Sequence, residues 1–127
     1  MRIDPSAVDG TVLRLVVRDG AGEDGSTEVD GTIDVGARGR LLGVEVPLPR
    51  DSLLAAPWRG DHPPPTAALD AADGTLYLPV AAGMPDVHVR SVTVRLRLIA
   101  GPGGGLIAVD VPRRGHGYEI AYPSGNR

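Results

Sequence analysis

Two acidic residues, Glu45 in "GRLLGVEVP" and Asp110 in "GGLIAVDVP", occupy matching places in two phrases of one form. If the fold brings them together, paired carboxylates perturb each other's ionisation and can divide the roles of acid and base. The competing reading is an acidic position on the solvated face of each of two strands. Three histidines, His62, His88 and His116, are potential metal ligands, yet no two share an i, i+2 or i, i+4 spacing on one element. They read as polar surface residues, and no metal site is expected. Ser26, Ser52, Ser91 and Ser124 lie in no nucleophile elbow. "GPGGG" and "GAGEDGS" open no helix and precede no lysine, so they read as turns and loops, not phosphate cradles. No catalytic residue is assigned and no cofactor is implied.

The charge layout says more. The outer positions of one long alternating segment are Glu28, Asp30 and Asp34; its counterpart carries Arg90, Arg95 and Arg97, and Arg113 and Arg114 follow the next segment. Arginine suits planar, bidentate pairing with carboxylates. Such faces can mate within the chain, between subunits or with a partner, or remain solvated. Arg90, Arg95, Arg97, Arg113 and Arg114 are therefore the candidate interaction surface.

Composition narrows the chemistry further. The 127 residues suit one ordinary domain or two very small ones. Hydrophobic residues make up 42%, but Trp58 and three tyrosines are the only aromatics. The core must come from Val, Leu, Ile and Ala, which predicts modest stability unless subunits associate. All basic residues are arginine, so lysine Schiff-base chemistry is excluded; the absence of cysteine excludes thiolates and disulfides. A net charge of −3 argues against a dedicated nucleic-acid binder. The N-terminus does not read as a signal peptide and the apolar runs fall short of a membrane span, so a cytoplasmic protein is expected.

The elements that must position these residues are strands. "SVTVRLRLIA" puts Val92, Val94, Leu96 and Leu98 on one face, with Ser91, Thr93, Arg95 and Arg97 on the other. The phase of Val87 and Val89 is opposite, which suggests a β-bulge near Arg90. "STEVDGTIDVG" and "DGTVLRLVV" also alternate, and "LLGVEVP" and "LIAVDVP" each follow a glycine-rich turn, as hairpins do. Helical signals are limited to a turn capped by Asp51 and one turn in "TAALDAAD". "GYEIAYP" can add a final short strand.

The two phrases also register with each other. Aligning Leu41 with Leu106, an offset of 65 (106 − 41), also matches Gly36 with Gly101, Gly39 with Gly104, Val44 with Val109, Glu45 with Asp110 and Pro47 with Pro112. Asp9-Gly10-Thr11 recurs as Asp73-Gly74-Thr75, an offset of 64 (73 − 9). The expected fold is mainly β: two related antiparallel β-meander repeats packed as one compact unit with short helical turns only. Residues 1–56 form the first repeat, 57–69 a Pro-rich connector, and 70–127 the second.

Asp4, Pro5, Asp9 and the hairpin "VDGTIDVGARGRLLGVEV", with Gly39, Leu41, Gly43, Val44, Glu45 and Val46, resemble the bacterial domain-of-unknown-function family numbered 2283. The likeness covers roughly residues 1 to 54 and, more weakly, 70 to 115, so the chain resembles two tandem divergent copies. The family's first-strand tyrosine is Leu13 here, with Tyr77 aligned to it in the second half at the offset of 64. The resemblance implies an antitoxin-like or partner-binding arrangement.

The function expected from the residues is a non-catalytic protein-interaction module, self-associating or binding a protein partner, with homo-oligomers formed through strand edges or faces. The alternatives are a small enzyme using Glu45 and Asp110, and a weak nucleic-acid binder using the arginine face.

Overall fold

The computed structural model describes residues 2–4, 11–18, 22–36, 39–48, 68–70, 75–80, 90–102 and 105–120. Among them the chain is mainly β, with no helix. One antiparallel sheet contains β1 (Arg2–Asp4), β2 (Val12–Val16), β3 (Gly25–Val35), β4 (Leu41–Pro47), β5 (Ala68–Asp70), β6 (Thr75–Pro79), β7 (Arg90–Ala100) and β8 (Leu106–Pro112). Their order across the sheet is β1-β2-β8-β7-β3-β4-β6-β5. Six strands of five residues or more carry the sheet, and three-residue strands lie at its two edges. A separate ribbon pairs β9 (Arg114–Gly115) with β10 (Tyr118–Glu119).

Period-two alternation builds the core. Leu13 and Leu15 of β2, Val109 and Val111 of β8, and Val94, Leu96 and Leu98 of β7 point to one face. Ile33 and Val35 of β3, Val44 and Val46 of β4, and Leu76 and Leu78 of β6 join them in one buried cluster. A single sheet can bury so much of one face against itself only by curling, and this sheet curls. The β9–β10 ribbon folds onto the end of that core, with Ile120 buried and Tyr118 packed against it. The Tyr118 hydroxyl donates to the Pro112 carbonyl at 2.8 Å.

The two halves of the chain interleave. β3 and β7 pair along eleven residues at the centre, Gly25 facing Ala100 at one end and Val35 facing Arg90 at the other. β3–β4 and β7–β8 are the hairpins that the glycine turns announce. β2, however, pairs with β8 and not with β3, and β6 pairs with β4 and not with β7. Registers on the two sides correspond. Thr32 faces Glu45 and Arg97 faces Asp110, positions 65 apart (97 − 32, 110 − 45). Both hairpins shift register at the same step, between Asp34 and Val35 and between Ile99 and Ala100. Asp30 faces Arg95, again 65 residues on (95 − 30).

Some expectations need correction. Val12 faces Pro112 on β8 as Thr75 faces Pro47 on β4, so these flanking strands correspond at an offset of 63 (75 − 12), not 64. Tyr77 is therefore the counterpart of Arg14, not of Leu13. Within "TAALDAAD", Ala68–Asp70 is a strand and not a helical turn. One turn of helix is a weak nucleus, whereas the open edge of β6 offers backbone partners from Thr75 to Tyr77. β5 also begins inside the expected connector, 57–69. The helical turn after Asp51 and the bulge suggested by Val87 and Val89 lie outside the described residues.

Candidate functional site

The strands place a row of charge across the outer face, opposite the core. Arg14 on β2 faces Asp110 on β8, which faces Arg97 on β7, which faces Glu28 on β3. Signs alternate along the row. At its β2 end the contact is tight: Arg14 Nε donates to Asp110 Oδ1 at 2.7 Å and Nη2 to Oδ2 at 2.9 Å. The Asp110 side chain is 9% exposed and that of Arg14 19%, so this bidentate pair is largely withdrawn from water. Glu23 approaches Arg14 Nη1 at 3.6 Å from an exposed position. Arg97 is exposed and is in none of the ion pairs among the described residues.

Further along the two central strands, Asp30 and Arg95 form an ion pair at 3.4 Å, 69% and 60% exposed. Thr32 then faces Thr93, and the Ser91 hydroxyl donates to Asp34 Oδ1 at 2.8 Å. The acidic and arginine-rich strands expected from the sequence thus lie side by side in one sheet.

Tyr77 occupies the position on β6 that Arg14 occupies on β2. It faces Glu45, and its ring lies over Gly43, where the absence of a side chain leaves room for it. Its phenol is pushed above the usual 10.0 by burial first, then by the carboxylates of Asp34 and Glu45. The folded state therefore holds the Tyr77 proton more tightly than the unfolded chain. This contribution to stability is complete below pH 10.0 and is lost as pH rises through the raised value. Asp34→Asn is expected to lower the Tyr77 pKa, seen as an earlier rise of phenolate absorbance on alkaline titration. Subtracting the titration of Tyr77→Phe separates Tyr77 from Tyr118, whose phenol burial also raises.

The carboxylate pair is not assembled. β7 and β3 stand between β8 and β4, so Glu45 and Asp110 are three strand spacings apart, about 14 Å across the sheet. Both oxygens of Asp110 are taken by Arg14, while Glu45 is exposed between Thr32 and Tyr77. The two acids hold matching registers in their hairpins, and the strand order keeps them apart.

The five arginines fall into three places. Arg95 and Arg97 lie on the outer face. Arg90 does not: it shares the alternation of Val92 and Val94, on the core side, and lines a cleft at the open end of the core. Arg113 and Arg114 adjoin the β9–β10 ribbon. Arg113 Nη1 reaches the Ile120 carbonyl at 3.5 Å, and Arg114 pairs with Glu119 at 3.7 Å on the exposed surface. His116 is exposed in the ribbon turn; His62, His88, Ser52 and Ser124 lie outside the described residues. Among the described residues no group of His, Asp and Glu could hold a metal ion. Nor is any described helix long and apolar enough to cross a membrane.

Sequence reasoning passed over Arg14. The signal was available: Arg14 is the lone charge in "VLRLVV" and Asp110 the lone charge in "LIAVDVP". Single charges of opposite sign in two otherwise apolar strands require partners. Comparison of the chain with protein-family models, with curated proteins and with solved structures gave no match.

Proposed function

We propose that this chain is a non-catalytic interaction module that associates with a second copy through the outer face of β3 and β7. The observation that carries this reading is the placement of exposed Glu28 and Asp30 on one central strand beside exposed Arg97 and Arg95 on the next. Rotating one copy by a twofold axis running along the strands sets each acidic row over the other copy's arginine row. The contact is isologous, polar and salt-sensitive.

The test is Arg95→Gln with Arg97→Gln, followed by light scattering at low and high salt. Arg97 has no ion pair among the described residues and the Arg95–Asp30 pair is solvent-screened, so stability should fall by less than about 1 kcal/mol. Wild type should run as a dimer at low salt and dissociate as salt rises, while the variant stays monomeric throughout. A wild type that is monomeric at every salt concentration rejects self-association. Glutamate is a poor choice at either position, because it would face Asp30 or stand between Asp110 and Glu28.

The same reading takes the chain as a tandem duplication whose copies exchanged flanking strands. Three things support it: the strand order reads alike from either end, the hairpin registers match at 65, and the central pair Asp30–Arg95 joins positions 65 apart. Opposite charges at corresponding positions are open only to copies joined in one chain, since identical subunits would meet like with like.

A further inference from the structure

We infer that the cleft at the open end of the core binds the carboxylate of an aliphatic acid, free or at the C-terminus of a peptide. The core-side positions of β7 run Arg90, Val92, Val94, Leu96, Leu98, and the one charge among them lies at the cleft. The space is about 240 Å³, with Val35, Val92 and Tyr118 as apolar walls and Gly36 and Gly39 on the side of the β3–β4 turn. Gly117 of the ribbon turn approaches the Arg90 guanidinium: a side-chain carbon there would lie 3.5 Å from Nη2.

Arg90 takes part in none of the ion pairs among the described residues. Glu119 also lines the cleft but has Arg114 at 3.7 Å. A planar guanidinium that no described residue pairs with, set beside aliphatic walls, favours a ligand with one carboxylate and an alkyl body. The carboxylate takes the fork of Arg90, and the alkyl part covers Val35 and Val92, removing apolar surface from water. Glu119 at the rim disfavours ligands of higher negative charge, such as phosphate.

The full-length protein is titrated with sodium hexanoate, with hexanol, and with N-acetyl-Val-Val-Leu bearing either a free or an amidated C-terminus. Backbone amide shifts of Gly36, Gly39 and Gly117 are followed by NMR. Saturable shifts with hexanoate, the free-acid peptide or both are expected, and which of them saturates identifies the source of the carboxylate. Hexanol and the amide should give none. Arg90→Gln should weaken binding about ten-fold or more. Arg90→Lys, keeping the charge without the planar fork, should bind at intermediate strength, and it decides the question if the glutamine variant does not fold. Absence of saturation with both acids, equal response to the amide, or unaltered affinity in the Arg90 variants overturns the inference. Because Arg90 lies off the outer face, none of these outcomes bears on association through Arg95 and Arg97.

Discussion

Asp110→Ala is expected to cost about 3–5 kcal/mol, read as a large fall in the urea midpoint with an unchanged slope. The reason is what the substitution leaves behind. Arg14 stays on β2 with a guanidinium mostly withdrawn from water, facing a methyl group where two carboxylate oxygens stood at 2.7 and 2.9 Å. Glu23, at 3.6 Å and half exposed, and the further contact that Arg14 makes offset part of that loss. A domain of this size has about 5–15 kcal/mol to lose, and a core without phenylalanine puts this one toward the lower end.

The partner experiment separates a pair that stabilises the fold from a pair that is only costly to break. Arg14→Leu combined with Asp110→Leu removes both charges and should return stability to within about 1–2 kcal/mol of the parent, or above it. The site favours that outcome, because Val16, Ile99, Ile107 and Ala108 near it on the outer side are already buried. Asp110→Asn should fall between, since one acceptor and most of the volume remain. A cost below about 1 kcal/mol for Asp110→Ala would mean that the pair is screened like the exposed Asp30–Arg95 pair, and that burial at Asp110 has no electrostatic consequence.

How much of this was legible in the sequence depends on whether the information is local. The alternation of Val92, Val94, Leu96 and Leu98 fixed which face of β7 enters the core, because a strand's side-chain period is two whatever its neighbours are. The hairpins after "GARGR" and "GPGGG" were equally local. Strand order was not. Nothing in the neighbourhood of β2 says that it leaves β3 for β8, since that choice is made by a partner some hundred residues away. The fate of every candidate residue follows from it: Asp110 meets Arg14 and not Glu45, and Arg95 meets Asp30. Arg90 differs for another reason: charge alone groups it with Arg95 and Arg97, while its parity with Val92 sets it on the other side of the strand.

Gly31→Ala is the second substitution expected to be severe, at about 1–3 kcal/mol, with Gly31→Val costing more. Gly31 lies on the core side of β3, between Val29 and Ile33, and these two with Val35 carry the aliphatic side chains of that face. Leu96 fills its place: the δ1 carbon of Leu96 occupies the space that a β-carbon on Gly31 would need. Leu96 is fully buried and has little room to turn aside. A side chain can still yield, but the second obstacle cannot, because the carbonyl oxygen of Glu45 would stand 2.7 Å from the new carbon. To relieve that contact β4 must move off β3, straining the ladder through Thr32 and Ile33. Leu96→Ala should therefore fail to rescue Gly31→Ala, since it clears the leucine, leaves the carbonyl and adds a cavity. Gly25→Ala, at the far end of the same strand with nothing within 4 Å, should be neutral or slightly stabilising. Equal midpoints for Gly31→Ala and Gly25→Ala in urea would show that β4 is free to slide, and the matched hairpin registers would then lose their structural reason. Leu96 lies 65 residues beyond Gly31 (96 − 31), the same spacing at which the registers of the two hairpins match.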